Sequence, residues 1–259
     1  MRWDLINYLA DINQYQNYLE IGVQDYYSNC DKIRVPNKVS IDPDPRNKCD
    51  FKGTSDEYFA QLPEDVKFDL VFIDGLHEKE QVLRDINNSL KHLTPNGTIV
   101  VHDCLPETAQ QAQPDDWGGP WMGTVYQAMV KIVNERSDLD TCVVNYDCGC
   151  GIIRKNGKPL NEDVANIGEV NFETYMEFRQ HWLNIISIEE FHEKFATKCV
   201  PVESTKNSIK KEIVVSETKT IIPENVDAEN SSEVKLPEDT PKTYTKKGRK
   251  KKSDTNEEA

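Results

Sequence analysis

Two kinds of hydrophobic pattern alternate along the first 200 residues. Short apolar runs predict buried strands, and apolar positions three or four residues apart predict helices. The clearest strands are 68–74 and 98–103, whose nearly continuous apolar runs are typical of a parallel sheet covered on both faces. The clearest helix is 78–93, which has a regular apolar stripe. The pattern therefore predicts strands and helices that follow one another along the chain.

The weaker patterns complete this picture. Strands are predicted at 17–22, 38–42, 141–146 and 151–154, a turn at 94–97, and helices at 2–12, 55–62, 125–133, 172–183 and 188–195. Alternating strands and helices predict an α/β fold with a doubly wound, mostly parallel sheet of seven strands. The last two strands form a hairpin, which makes one edge strand antiparallel. Ligands of such sheets bind where the carboxyl ends of the strands meet, so the residues at those ends are the functional candidates.

Composition changes near residue 200. The segment 201–259 has no Trp, Phe or Cys, and Tyr244 is its one aromatic residue. It holds 12 Lys and Arg against 12 Asp and Glu, so the formal net charge of −14 belongs to residues 1–200. We predict a folded domain at 1–200 and a disordered charged tail at 201–259, because the tail has too little apolar surface to offset its ordering entropy. An acidic body repels phosphate backbones, which disfavours nucleic acid as its partner.

Several protein classes are disfavoured by simple patterns. No apolar run approaches the roughly 18–20 residues of a membrane span, and the first residues lack a secretory signal pattern. The seven cysteines are odd in number and scattered, so we expect reduced thiols in a cytoplasmic protein. The spacing of Cys148 and Cys150 favours a tight turn over a metal site. The basic cluster 246–252 is either an import or polyanion-binding signal or part of a solvated, charge-balanced tail.

The first two strand ends indicate the kind of ligand. Gly22 follows the first strand, but no G-x-G-x-x-G pattern follows it, which counts against NAD or FAD. Asp42 closes the second strand about 20 residues later, where a carboxylate can accept hydrogen bonds from a ribose diol. A ribose contact without a pyrophosphate cradle favours an adenosine ligand without phosphates, such as S-adenosylmethionine (SAM). The alternative is that Asp42 only forms the turn before Pro43.

A family resemblance runs through these strand ends. The segments are YLEIGV (18–23), SIDPDP (40–45), GTSDEYF (53–59), FDLVFIDGLHEKEQVLRDINNSLKHLTPNGTIVVHDCLP (68–106), WMGTVYQAM (121–129) and DCGCGII (147–153). Together they resemble class I SAM-dependent methyltransferases, and in particular the stand-alone domains similar to macrocin O-methyltransferases. The resemblance covers nearly all of residues 1–200. It implies a Rossmann-like methyltransferase fold and SAM-dependent O-methylation of a small hydroxylated acceptor, such as a sugar or glycoconjugate.

The same resemblance implies a set of cofactor-binding residues. It assigns Glu20 and Gly22 to the methionine end of SAM, Asp42 to the ribose, Thr54, Ser55 and Asp56 to the adenine, and Asp74 and Gly75 to the methyl-donor end. Two of these residues have simpler explanations. Ser55 can be the N-cap of the following helix, and Asp56 can be an acid in its first turn that is favoured by the helix dipole.

A second cluster suits the chemistry of methyl transfer. Removing a proton from a hydroxyl needs a base, a metal ion or both. Asp74 and His102–Asp103 end adjacent strands and His77 follows closely, so these side chains are expected to converge. Carboxylates and imidazoles suit Mg²⁺ or Mn²⁺. By analogy with metal-dependent catechol and macrocin O-methyltransferases, Asp74, His102 and Asp103 are the expected metal ligands and His77 the general base.

Alternatives to this assignment remain open. Without a metal, His102 is the base and Asp103 only accepts a hydrogen bond from the acceptor, while His77 begins the next helix. The loop 115–122 has two tryptophans that predict stacking on a sugar or a lid, or else simple packing onto the body. Two other functions compete: an NAD(P)-dependent oxidoreductase and a catalytically inactive module for interactions.

Overall fold

The computed structural model describes residues 1–158, 167–168 and 170–198. Its helices are α1 (Arg2–Asn13), α2 (Ser55–Gln61), α3 (Lys79–His92), α4 (Val125–Glu135), α5 (Phe172–Trp182) and α6 (Ile188–Lys194). Its strands are β1 (Asn17–Ile21), β2 (Asn37–Asp42), β3 (Phe51–Lys52), β4 (Phe68–Ile73), β5 (Leu93–Val101), β6 (Leu139–Val144), β7 (Cys150–Lys155) and β8 (Ile185–Ile186). The predicted tail at 201–259 and its basic cluster lie outside the described residues.

The strands form one mixed sheet in the order β3-β2-β1-β4-β5-β7-β6-β8. Strand β7 is antiparallel to both of its neighbours, and the remaining pairs are parallel. The predicted doubly wound, mostly parallel α/β fold is therefore confirmed. Two details differ from the prediction: eight strands are described instead of seven, and the antiparallel strand lies inside the sheet because β6 and β8 pair beyond it. The two-residue strands β3 and β8 are too short to show a hydrophobic period.

Both faces of the sheet are covered by helices. Along β4, Val71 and Ile73 face the core beneath α2, α3, α4 and α5. Their neighbours Leu70 and Phe72 face the core beneath α1 and α6. Successive side chains of a strand point to opposite faces, so burial on both sides demands an unbroken apolar run. This explains why the sequence of β4 predicts its place so clearly.

The predicted turn at 94–97 is wrong. Strand β5 runs through these residues, from Leu93 to Val101. The register accommodates them, since Phe68 pairs with Leu93 but Leu70 pairs with Thr98. The extra residues form an irregularity in the ladder, where Pro, Asn and Gly are tolerated.

Two further sequence predictions concern environment. None of the described helices has the length and apolar character that crossing a membrane requires. The six cysteines in the described ranges are free, whereas Cys199 lies outside them. Residues 147–149 adopt three successive positive φ values at the turn before β7, which agrees with the tight-turn interpretation of Cys148 and Cys150. A cytoplasmic location stays a prediction.

Candidate active site

A cleft of about 700 Å³ opens where β1, β2, β4 and β5 end. This volume is within the range of pockets that hold small molecules and cofactors. Among the residues that line it are nine of the predicted site residues: Gly22, Asp42, Thr54, Ser55, Asp74, Gly75, His77, His102 and Asp103. The predicted Glu20 and Asp56 do not line it. The carboxyl ends of the strands therefore meet in one cavity, as the parallel topology requires.

The floor of the cleft depends on a glycine. Gly22 has a φ of +84°, and a Cβ there would lie 2.2 Å from the carbonyl oxygen of Asp74 and 2.4 Å from Cα of Gly75. The loops that follow β1 and β4 are therefore in direct backbone contact. Only glycine satisfies both the left-handed backbone and the close approach.

Asp42 is engaged by the chain itself. One carboxylate oxygen accepts hydrogen bonds from the backbone amides of Val23 (3.1 Å) and Gln24 (2.8 Å). The other accepts from the backbone amide of Asp44 (2.8 Å) and the side chain of Asn47 (2.9 Å). These four bonds fill the acceptor capacity of a carboxylate. Asp42 therefore ties the loops after β1 and β2 together, and its predicted contact with a ribose would require some of these bonds to break.

A buried polar group forms the wall beside α2 and α3. The hydroxyl of Ser55 donates to Oδ1 of Asp85 (2.5 Å), and Nε2 of Gln81 donates to the same oxygen (3.0 Å) and to the Ser55 hydroxyl (3.2 Å). Burial raises the pKa of Asp85 to about 6. The sequence analysis missed Gln81 and Asp85. A signal was present, because Asp85 lies between Val82 and Ile86 on the apolar stripe of α3.

Thr54 and Asp56, the other two residues predicted to border the adenine, differ in position at the start of α2. Thr54, and not Ser55, is the N-cap, since its hydroxyl accepts a hydrogen bond from the backbone amide of Glu57 (3.2 Å). Thr54 also lines the cleft. Asp56 points away and lies 3.2 Å from Nε of Arg84. Its position agrees with the simpler explanation of a first-turn acid.

Glu20 lies buried behind the cleft lining. Its Oε2 accepts hydrogen bonds from the hydroxyl of Tyr18 (2.6 Å) and from Nδ2 of Asn29 (3.0 Å). Burial raises the pKa of Glu20 to about 7, although both hydrogen bonds oppose that shift. A cofactor in the cleft would therefore meet Gly22 and not the Glu20 carboxylate.

The four residues of the second predicted cluster do converge. Oδ1 of Asp74 lies 3.5 Å from Nε2 of His77 and 3.3 Å from Nδ1 of His102. The two oxygens of Asp103 lie 3.3 Å from Nε2 of His77 and 3.2 Å from Nδ1 of His102. Each carboxylate thus faces both imidazoles. Asp103 has a φ of +59°, a backbone conformation that is uncommon for any residue but glycine and is concentrated at functional sites.

The hydrogen-bond partner of His77 Nδ1 determines which of the two ring nitrogens carries the proton. Nδ1 lies 3.1 Å from the carbonyl oxygen of Trp121, which can only accept, so we assign the ring proton to Nδ1. The Nε2 lone pair then faces two carboxylates unless a second proton or a cation lies between them. Burial lowers the pKa of His77, but the neighbouring Asp74 and Asp103 outweigh it and raise the pKa. Histidines that bind metals commonly donate their other N–H to a backbone carbonyl in this way.

His102 is buried, with 5% of its surface exposed. Neither ring nitrogen has an aligned hydrogen-bond partner in the part of the chain that the structure describes, despite the two carboxylates near Nδ1. Burial lowers the pKa of His102, but Asp74 and Asp103 outweigh burial and raise it to about 10. The same interactions hold the pKa of Asp74 well below its usual range, against the effect of burial.

The donor set fits a hard divalent cation. Asp74, His77 and Asp103 each offer a ligand atom, and these atoms lie within 4.8 Å of one another. Neighbouring ligands of an octahedral Mg²⁺ or Mn²⁺ are about 3 Å apart, close to the 3.3–3.5 Å from His77 to the two carboxylates. His102 instead groups with Asp103 and Cys148. The geometry therefore favours His77 as a ligand, where the sequence predicted His102.

Two elements far away in the sequence complete the cleft. Arg2, from the start of α1, lines it with Nη2 3.6 Å from Oδ2 of Asp74, and its buried Nε has no hydrogen-bond partner among the described residues. Trp121 lines the other side and stacks near His77, with ring centroids 5.0 Å apart. Trp117 is exposed and does not line the cleft. No pattern in the sequence pointed to Arg2.

The loop that carries Trp121 is fastened to the segment before α3. The backbone amide of Thr124 donates to the carbonyl oxygen of His77 (2.8 Å), and the backbone amide of Lys79 donates to the hydroxyl of Thr124 (2.7 Å). Gly123 permits this approach, because a Cβ there would lie 2.1 Å from the His77 carbonyl oxygen. His77 therefore contacts the carboxylates through its ring and this loop through both its ring and its backbone.

A family model described as a methyltransferase domain matches residues 37–104. This part of the chain is therefore similar to a methyltransferase domain. The matched segment runs from the start of β2 to just beyond β5 and includes Asp42, Asp74 and Asp103. The match supports the resemblance to methyltransferases, whereas the finer likeness to the macrocin type is not confirmed.

Solved structures of methyltransferases are also similar to this domain. The O-methyltransferase TomG from Streptomyces achromogenes, in complex with SAM, is 19% identical, with 60% of this chain and 80% of that chain covered and a TM-score of 0.45. An O-methyltransferase from Bacillus cereus, in complex with SAH, is 14% identical, with 60% and 80% covered and a TM-score of 0.47. The SAH-bound methyltransferase PaMTH1 from Podospora anserina is 19% identical, with 60% and 78% covered and a TM-score of 0.44. No curated protein sequence matches the chain.

Proposed function

We propose that this protein transfers the methyl group of SAM to a hydroxyl oxygen of a small acceptor. One observation carries the proposal: the cleft of the methyltransferase domain brings two carboxylates and two imidazoles together at the ends of β4 and β5. Asp74 and Asp103 are acidic and SAM is a sulfonium cation, so their charges are complementary. The displacement itself needs no acid, because the sulfonium group leaves without protonation.

The cleft suits an extended cofactor. It spans the ends of four neighbouring strands, β2, β1, β4 and β5, which at about 4.8 Å per strand is about 14 Å. The contact between Gly22 and the β4 loop leaves a floor without side chains in the middle. We place the methyl-donor end near Asp74 and Asp103 and the adenosine toward Ser55 and Thr54.

Three residues would hold a divalent cation, Mg²⁺ or Mn²⁺. We assign Asp74, His77 and Asp103 as its ligands, because their donor atoms have suitable chemistry and spacing. The cation would lower the pKa of an acceptor hydroxyl bound beside it. His102 also lines the cleft and is the candidate for proton removal, because the cation would offset the two carboxylates that now raise its pKa. The competing assignment keeps His77 as the base.

The acceptor side of the cleft favours a sugar or glycoconjugate. Trp121 offers an aromatic surface beside His77, and aromatic rings stack on the apolar faces of sugars. The polar neighbours Asp116 and Arg2 also line the cleft and can bind hydroxyl groups. The chain's own residues would thus orient the acceptor, exclude water and remove one proton, which is what an in-line methyl transfer asks of an enzyme.

Calorimetric titration of the purified full chain tests the cofactor. We expect S-adenosylhomocysteine to bind and NADH not to bind, and heat with NADH alone would overturn the proposal in favour of an oxidoreductase. A screen of hydroxylated acceptors with tritiated SAM, with and without EDTA, then tests the chemistry. We expect transfer that EDTA abolishes and Mn²⁺ restores. Binding of S-adenosylhomocysteine without transfer to any hydroxylated acceptor would instead support an inactive interaction module.

A further inference from the structure

One buried carboxylate in the cleft has no role in the chemistry described above. Asp85 lies on α3, about 1% exposed, yet it lines the cleft. Both of its hydrogen bonds, from Ser55 and Gln81, go to Oδ1. No described residue donates a hydrogen bond to Oδ2. Asp85 keeps only a small accessible surface and lines the cleft, so a ligand in the cleft can supply the donor that Oδ2 lacks.

The hydrogen bonds from Ser55 and Gln81 determine that Asp85 can only accept a hydrogen bond from a ligand. Gln81 donates through its amide nitrogen, so Oδ1 must remain an acceptor, and Ser55 donates to the same atom. The orientation of Gln81 is itself held, because its Oε1 accepts a hydrogen bond from Arg84. Only Oδ2 is left, and in the carboxylate form it accepts and cannot donate.

The position of Asp85 in the cleft indicates which part of a ligand it meets. Asp85 and Ser55 lie at the side of α2 and α3, whereas the Asp74–Asp103 cluster lies at the ends of β4 and β5. A cofactor with its methyl group at that cluster extends its nucleobase toward α2 and α3. The exocyclic amine of adenine is a donor, and the oxygen at the same position of hypoxanthine is an acceptor.

We propose that Asp85 accepts a hydrogen bond from the exocyclic amine of the adenine and thereby makes this site specific for adenosine over inosine ligands. This inference rests on the proposed SAM-binding function. Ser55 and Gln81 are positioning residues that hold Oδ1 so that Oδ2 faces the base. A hypoxanthine ring would place its carbonyl oxygen against the carboxylate, which loses a hydrogen bond and adds repulsion.

The competing explanation is that Asp85 only fastens α2 to α3 through Ser55. The wild-type protein alone separates the two explanations by calorimetry. We expect S-adenosylhomocysteine to bind at least about 10-fold more tightly than S-inosylhomocysteine, and also more tightly than its N6,N6-dimethyl analogue, which lacks the donor. Equal affinities for the three ligands would overturn the inference and leave the proposed function intact.

The variant Asp85→Asn sharpens the test. Its carbonyl oxygen can replace Oδ1 and keep the bonds from Ser55 and Gln81, while its NH₂ group replaces Oδ2. We expect the affinity for S-adenosylhomocysteine to fall and that for S-inosylhomocysteine to rise, so that their ratio changes by about 100-fold, two tenfold effects combined. A variant that unfolds at the wild-type urea midpoint but keeps the wild-type ratio would contradict the inference.

A matched control is Asp65→Asn, which makes the same substitution at an exposed position outside the cleft. It should leave both affinities unchanged. The proposed function and the inference fail in different ways. If the wild-type protein binds none of the adenosine or inosine ligands, the proposed function fails and the inference falls with it, whereas binding without base discrimination removes only the inference.

Discussion

The carboxylates at the two ends of the cleft differ in how completely the chain hydrogen-bonds them. At the end of the cleft beside β2, which is the proposed adenosine end, Asp42 accepts four hydrogen bonds of 2.8–3.1 Å from the chain itself. At the end beside β4 and β5, which is the proposed reactive end, Asp74 and Asp103 face imidazole nitrogens at 3.2–3.5 Å, and His102 has no aligned hydrogen bond to either of them. Both ends are acidic and line the same cavity, but only Asp42 has its acceptor sites filled by hydrogen bonds from the chain.

This difference distinguishes a carboxylate that fixes loops from carboxylates that remain available to bind a ligand. A carboxylate with its acceptor sites filled by backbone amides fixes loops and has little left for a ligand. Carboxylates that are close to imidazoles but poorly aligned gain most from a cation or a substrate proton. Residue type alone does not distinguish the two cases, because each of these residues is an aspartate at the end of a strand or just after it.

The largest effect should come from Asp103→Asn at the reactive end. Asparagine tolerates the left-handed backbone of this position, so the fold should persist. We expect the affinity for Mn²⁺, measured by calorimetry, to fall on the order of 100-fold or more, since loss of a ligand costs at least as much as loss of a residue that supports one. Methyl transfer should fall with it. The exposed Asp65→Asn is the control, and unchanged Mn²⁺ binding in Asp103→Asn would remove Asp103 from the metal site.

The next largest effect should come from Gly22→Ala, at the floor that joins the two ends. The new Cβ would lie 2.2 Å from the carbonyl oxygen of Asp74, so the β1 and β4 loops must separate. We expect the free energy of unfolding to fall on the order of 3 kcal/mol, measured with urea. Gly118→Ala is the matched control, since its φ is +81° but nothing lies within 4 Å of a Cβ there. If both variants lose the same stability, only backbone strain matters at Gly22.

The substitution Asp42→Asn tests the role of Asp42 at the proposed adenosine end. It puts an NH₂ group where a carboxylate oxygen now accepts two hydrogen bonds, for example from Val23 and Gln24. We expect a loss on the order of 2–3 kcal/mol in the free energy of unfolding, because buried donors lose their acceptor. The affinity for S-adenosylhomocysteine should fall as the loops loosen. Weaker binding at unchanged stability would instead favour the direct ribose contact that the sequence predicts.

The smallest effect should be a pH dependence caused by Glu20, behind the reactive end. Burial raises its pKa from 4.5 to about 7 in the folded protein, so between these values the folded state holds a proton that the unfolded state has lost. Its stabilising contribution is complete below pH 4.5 and is lost as the pH rises toward 7. From pH 5 to pH 7 the loss should be on the order of 2 kcal/mol.

Urea unfolding of the wild type and of Glu20→Gln at both pH values isolates this contribution. Glutamine keeps an acceptor for the hydroxyl of Tyr18 and does not titrate. The other titrating groups contribute equally to both proteins, so the difference between the two pH slopes belongs to Glu20. Identical slopes would show that Glu20 is ionised throughout, and that the end of the cleft beside it is more hydrated than its burial indicates.

The fold could be predicted from sequence where burial imposes a regular pattern of apolar residues. The runs that became β4 and β5 are apolar on both faces, and the stripe of α3 is regular, so these elements were predicted within a residue or two at most boundaries. The residues at 94–97 were not, because their turn-like composition is absorbed as an irregularity within β5. Composition cannot show that neighbouring strands will accommodate such residues.

The candidate site could be predicted only at the level of strand ends. Parallel topology alone brings Asp74 and Asp103 together, and the sequence shows both. The exchange of roles that we propose between His77 and His102 depends on the left-handed backbone of Asp103 and on the Trp121 carbonyl, which no spacing encodes. The saturation of Asp42 likewise depends on loop conformations that form only in the folded chain.

His77 connects the two carboxylates to the segment that carries Trp121. One ring nitrogen faces the carboxylates, the other binds the carbonyl of Trp121, and the His77 backbone carbonyl accepts from Thr124. A cation that reorients the imidazole must therefore shift the tryptophan segment, and an acceptor that displaces the segment must shift the imidazole. Binding of the proposed cation and of the proposed acceptor would therefore be linked, and each would change the affinity for the other by the same factor.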